Sequence, residues 1–222
     1  KFAYNSLCVR RAAVLRDVRN DYSVGLANVF VQSFQELGGT IVADLSYSEG
    51  DTDFSAQITA IRGQNPEAIF VPGYYTEVGL IARQVRQLGM TVPLLGGDGW
   101  DSPLLAEIGG AAMNDSYFST HYSPDDPDPQ IQQFVRRYRE RSGQDPDALV
   151  ALGYDAASLL FDAIRRAGTS DPAAVRDALA ATRSFPGVTG TISIDERRNA
   201  VKPAVILRVV DGRYEYVETI EP

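Results

Sequence analysis

Apolar positions along the chain alternate between two periods. Ala12-Ala13-Val14-Leu15 is an unbroken apolar run, the pattern of a strand covered on both faces. From Val24 the spacing lengthens. Leu26, Phe30 and Leu37, with Ala27, Val31 and Phe34, share one helical face, with Ser23 read as the cap and Gly38-Gly39 as the stop. Residues 40–45 alternate and form a second strand. Asp51-Thr52-Asp53 opens a helix carrying Phe54, Ile58 and Ile61. Residues 68–71 are a third strand, closed by Pro72-Gly73. Thr76 then caps a helix bearing Val78, Ile81, Ala82, Val85 and Leu88. Residues 92–95 are a fourth strand. The turn at 96–103 follows, with Ser102 as cap and Pro103 at the first position of a short helix. Its glycines are read as what lets the backbone turn sharply.

Strand and helix thus alternate four times with short connections, which predicts a parallel sheet flanked by helices. After Gly110 the rhythm breaks. Residues 116–122 read as a strand, and Ser123-Pro124-Asp125-Asp126-Pro127-Asp128-Pro129 as a crossover that neither helix nor sheet can continue through. Helices follow over about 130–141, 149–166 and 173–182. Residues 188–194 are extended, and 202–220 form a hairpin around Asp211-Gly212. The expectation is an α/β fold of two subregions.

In an open parallel sheet, ligands bind outside the carboxyl ends of the strands. The loop after the first strand carries Tyr22, the loop after the third carries Tyr74, and the loop after the fourth carries Asp98, Trp100 and Asp101. Aromatic walls around a carboxylate suit a ligand ammonium, through charge-assisted hydrogen bonds and cation–π contact. Tyr22, Tyr74 and Asp98, with Trp100, are therefore the candidate ligand-binding residues.

Composition narrows the reading. The 222 residues are 44% hydrophobic and 23% charged, with a net charge of −8. No basic stripe is available to neutralise phosphates, which argues against nucleic acid. No run of about 18 apolar residues is present to span a membrane. The one cysteine, Cys8, sits in an apolar stretch and reads as a small buried hydrophobe. The one histidine, His121, leaves neither a metal site nor a Ser-His-Asp triad a basis. No nucleophile elbow, phosphate loop or dinucleotide fingerprint occurs. The expectation is a binding protein with no catalytic residue, metal or cofactor. Lys1 without a preceding Met, directly before a short helical tail, reads as a processed or truncated product.

Several segments then resemble one family. Asp21-Tyr22-Ser23-Val24-Gly25, Gly50-Asp51-Thr52-Asp53-Phe54-Ser55, Pro72-Gly73-Tyr74, Gly97-Asp98-Gly99, Ala151-Leu152-Gly153-Tyr154-Asp155-Ala156-Ala157 and the closing Gly190-x-Ile192-x-Ile194-Asp195 are similar, in order, to segments of the periplasmic solute-binding proteins of branched-chain amino-acid (Leu/Ile/Val) ABC transporters. Ser23 stands where the family has Gly. The resemblance implies a type I periplasmic binding fold with a partial second lobe. Residues 1–118 would be lobe two, 119–198 a returning, mostly helical part of lobe one, and 199–222 a closing hairpin of lobe two. It implies an amino acid as ligand, its α-ammonium taken by Asp98 between Tyr22 and Tyr74, and a membrane permease as partner in the periplasm. It also implies a fragment lacking most of lobe one, with helix faces such as Phe134, Leu159 and Leu160 left bare for a dimer or partner chain. The alternative function is a sensory ligand-binding domain of a receptor or regulator built on the same fold.

Overall fold

The computed structural model describes residues Lys1–Pro222. In chain order the elements are α1 (Phe2–Asn5), β1 (Arg11–Asp17), α2 (Asp21–Glu36), β2 (Thr40–Tyr47), α3 (Ser55–Gly63), β3 (Ala68–Phe70), α4 (Tyr75–Gln87), β4 (Leu94–Gly96), α5 (Pro103–Gly109) and β5 (Tyr117–Thr120). They continue with α6 (Pro129–Ser142), α7 (Ala148–Ala167), α8 (Pro172–Ala180), β6 (Phe185–Gly187), β7 (Gly190–Ile194), β8 (Ala200–Val201), β9 (Ala204–Val210) and β10 (Arg213–Ile220). Two compact units result. One comprises Lys1–Ser119 with Ile206–Val217, the other Thr120–Val205 with Glu218–Pro222. No helix is long and apolar enough to cross a membrane.

The first unit is built on a seven-stranded sheet of order β10-β9-β5-β4-β3-β1-β2. The pairs β1–β2, β1–β3, β3–β4 and β4–β5 are all parallel. Ala12, Ala13, Val14 and Leu15 of β1 are wholly buried, because both faces of the strand are covered. Alternate residues go to opposite faces. Ala12, Val14, Ala68, Phe70 and Leu95 meet Ala27 and Phe34 of α2 and Ala3 of α1. Phe30 stacks on Phe70 with ring centroids 4.2 Å apart. Right-handed crossovers carry α3, α4 and α5 to the other face, where Ile58, Ile61, Val78, Ile81, Val85 and Leu105 are buried.

Two helix starts differ from the sequence expectation. Asn20, not Ser23, caps α2, its side-chain oxygen accepting from the Tyr22 and Ser23 amides at 3.0 and 3.4 Å. Asn is as good a cap as Ser, and Ser23 is occupied elsewhere, its hydroxyl accepting from the Asp17 amide at 2.9 Å. Thr76 lies inside the first turn of α4, with Tyr74 at the cap position. The Gly73 amide donates to Val71 O at 2.9 Å, so a three-residue turn at Pro72 feeds the helix directly. Cys8 is also not where its apolar neighbours suggest. It is exposed at φ 56, because the left-handed turn sends Val9 inward instead.

In the second unit, Asp128, Asp147 and Asp171 cap α6, α7 and α8 through their carboxylates. Gly143 and Gly168 close α6 and α7 in the left-handed conformation. Tyr122, Phe134, Val135, Ala151 and Val188 form its core. Phe134 is therefore buried rather than bare, packed against Tyr122 and Tyr154. Leu159 is half-buried and Leu160 exposed. The barest apolar side chains of α7 are Leu149 and Phe161, 78% and 69% exposed. β6, β7 and β8 make a small antiparallel sheet. The β7–β8 turn escaped the sequence reading because it contains no glycine. Asp195 accepts from the Arg197 and Asn199 amides, and Arg198 supplies the positive φ of 69°.

Candidate ligand-binding site

The strand order β2-β1-β3 sets the site. From β1 the chain runs outward to β2; from β3 it runs the opposite way to β4. The loops after β1 and β3 therefore diverge, and such a switch point leaves a crevice at the carboxyl ends. Tyr22 stands there in the first turn of α2, fixed by the Asn20 cap. Tyr74 stands at the start of α4. Their rings stack with centroids 5.2 Å apart and planes 21° apart. Tyr74 is 46% exposed, so its outer face is open.

Asp98 opens a single 3-10 turn, Asp98–Trp100, beyond β4. The Tyr22 hydroxyl donates to Asp98 Oδ1 at 2.7 Å and accepts from the Gly99 amide at 2.8 Å. Burial, reinforced by the bond to Asp98, pushes the Tyr22 phenol well above its ordinary range. It remains a protonated donor at neutral pH, and the carboxylate is held by a charge-assisted bond. Asp98 itself is exposed. The result is an acid of fixed orientation beside an open aromatic face.

The structure brings Tyr22, Tyr74 and Asp98 together, while Trp100 has no exposed surface. Its indole packs against Gly96, where a Cβ would lie 2.1 Å from the ring. Its Nε1 donates to Val71 O at 3.0 Å. Trp100 thus ties the β4 turn to the end of β3 from beneath and lines no wall. The glycines also play a different part from the one expected. Gly96, Gly97 and Gly99 all lack positive φ. They are needed for close approach: a Cβ on Gly99 would lie 2.9 Å from Gly73 O, 3.1 Å from the Tyr74 ring and 3.2 Å from the Tyr22 ring. Asn20, which fixes the turn that carries Tyr22, has one sequence signal, its place directly before Asp21-Tyr22 at a helix start.

A parallel α/β lobe with an acid and two tyrosines at its switch point is the architecture of a small-molecule binding domain, and the fold is that of type I periplasmic binding proteins. The family model described as periplasmic binding protein matches residues 1–213, and the chain belongs to that family. It is 29% identical over 213 residues to the Leu/Ile/Val-binding protein homolog 1 of Brucella suis, covering 94% of this chain and 56% of that one. It superposes on the leucine binding protein LivK of Thermotoga maritima with 45% identity and a TM-score of 0.90, covering 100% of this chain and 63% of that one. It superposes on LivJ of Streptococcus pneumoniae, solved in complex with isoleucine, with 33% identity and a TM-score of 0.83, again covering 100% and 63%. The chain therefore spans about three-fifths of the length of these relatives.

Proposed function

We propose that this chain carries one wall of the ligand site of an extracytoplasmic solute-binding protein that delivers an amino acid to an ABC importer. Asp98 receives the α-ammonium, Tyr22 holds Asp98, and the open face of Tyr74 packs on the ligand. The observation that carries this is the Tyr22–Asp98–Gly99 hydrogen-bonded array beside the stacked tyrosines. The relatives named for leucine, isoleucine and valine supply the substrate class. In this reading residues 1–118 and 199–222 serve as lobe two and 119–198 as part of lobe one; the compact unit Lys1–Ser119 with Ile206–Val217 supports the division near 118 and the return of the hairpin, while 199–205 and 218–222 group with the other unit. The protein is a carrier rather than an enzyme, with a membrane permease as its partner and the periplasm as its place. A second chain over the bare face of α7 belongs to the same reading.

The test is an NMR titration of the chain with L-leucine, L-isoleucine and 4-methylpentanoate, the last lacking the ammonium. The two amino acids are expected to move the Gly99 amide and Tyr74 ring resonances, and the deaminated acid to leave them in place. Asp98→Ala removes the carboxylate that pairs with the ammonium and is expected to abolish the response. Equal response to 4-methylpentanoate, or an unchanged response in Asp98→Ala, would overturn the assignment.

A further inference from the structure

Tyr47 ends β2 and is 3% exposed. Its ring meets Phe54 edge-on, with centroids 5.3 Å apart. Its hydroxyl is buried and has no hydrogen-bond partner. Burial, with Asp17 and Glu77 nearby, pushes that phenol up. An unpartnered buried hydroxyl is destabilising, so its place calls for an explanation. The hydroxyl lies directly against Gly73, where a Cβ would fall 2.1 Å from Tyr47 Oη. Gly73 precedes Tyr74, and its carbonyl is the nearest neighbour a Cβ on Gly99 would meet. A continuous line of contact therefore runs from Tyr47 through Gly73 to Tyr74 and Gly99.

We propose that Tyr47 and Gly73 are a matched steric pair: the Tyr47 hydroxyl occupies the space a side chain at residue 73 would fill, and so props the backbone that sets the Tyr74 ring in the candidate site. Tyr47 is thus a positioning residue, and its consequence for ligand affinity rests on the function proposed above. The pair is interchangeable in one direction. With the hydroxyl removed, the nearest neighbours of a Cβ added at Gly73 are Tyr47 Cζ at 3.4 Å and Val78 Cγ2 at 3.5 Å, which are ordinary contacts. Gly73 does not need positive φ, so alanine is conformationally acceptable there.

The experiment compares Tyr47→Phe, Gly73→Ala and the double variant, with two readouts. The first needs no ligand: Tyr74 ring chemical shifts, which report the stacking on Tyr22, and exchange of the Gly99 amide. Each single variant is expected to shift the Tyr74 ring and speed Gly99 exchange, and the double variant to return both towards the parent. The thermal midpoint of Tyr47→Phe should not fall, because a buried unpartnered hydroxyl is removed. If Gly73→Ala alone does not fold, folding of the double variant with parental Tyr74 shifts is the same rescue. Singles that leave the Tyr74 ring unmoved, or a double variant no better than the sum of its parts, overturn the pairing. The second readout is L-leucine affinity, for which the pair should show coupling of about fivefold or more. Rescue of the ring shifts with no L-leucine binding in the parent would leave the pairing standing and sink the proposed function instead.

Discussion

Val71 O accepts both the Gly73 amide and the Trp100 indole N–H, so one carbonyl joins the two turns that carry Tyr74 and Asp98. Trp100→Phe removes both the indole N–H and the five-membered ring that lies against Gly96. Trp100→Phe should lower stability by about 1–3 kcal/mol, and Trp100→Ala by about 3–5 kcal/mol, both read by urea unfolding. A Trp100→Phe variant as stable as the parent would show that the indole bond contributes nothing. That Tyr22, Tyr74 and Asp98 lie together is legible in the sequence, because each needs only a position along the chain, at the end of a strand in a parallel sheet. Trp100 was misread because strand-end position says nothing about which way a side chain turns. Three residues beyond Gly97, the 3-10 turn swings it under the sheet edge. Tyr47 gave no signal, since its role depends on a glycine distant in sequence.

Elements were the most legible scale in the first unit, where continuous apolar strands and amphipathic helices follow one another with short loops. Caps were less so, because Asn, Asp, Ser and Thr crowd the same few positions and only the folded geometry chooses among them. The second unit depends on a device that the periodicity does not reveal. Asp155 of α7 is buried and accepts from the Val188 amide at 2.8 Å, the Thr189 amide at 2.8 Å and the Thr189 hydroxyl at 2.7 Å. It pins the strands β6 and β7 to the helix. Asp155→Ala leaves three buried donors without an acceptor, so the expected loss is about 3 kcal/mol or more, measured by thermal or urea unfolding. The outer face of α7 behaves oppositely. Leu149 and Phe161 contact mostly solvent, so Leu149→Gln with Phe161→Gln should change stability by less than about 0.5 kcal/mol each. The same pair should reduce concentration-dependent association in sedimentation runs, since bare apolar surface favours it. Unchanged association would remove the case for a partner at that face.

At the scale of the whole molecule, phenols set the alkaline limit. Four of the 11 tyrosines, Tyr22, Tyr47, Tyr122 and Tyr214, are shifted upward by burial, Tyr214 to about 12. A group whose folded pKa lies above its unfolded value contributes stability that is complete below the unfolded pKa and is lost as pH rises through the folded one. Stability is therefore expected to hold below about pH 10 and fall above it. The net charge of −8 adds repulsion in the same direction. Absorbance at 295 nm should show most tyrosines ionising first and a remainder ionising only as far-ultraviolet circular dichroism is lost. One smooth titration of all phenols before unfolding would contradict this. The placement of β9 and β10 has a further consequence, in time rather than energy. The sheet of the first unit is finished by Ile206–Val217, which reach it only after Thr120–Val205 have been made. At ordinary ribosome speeds that interval is on the order of ten seconds. Throughout it the nascent chain presents β5 as a naked sheet edge, a template for pairing with other chains. Synthesis of this protein therefore contains a built-in window of vulnerability, closed only when the β9–β10 hairpin arrives.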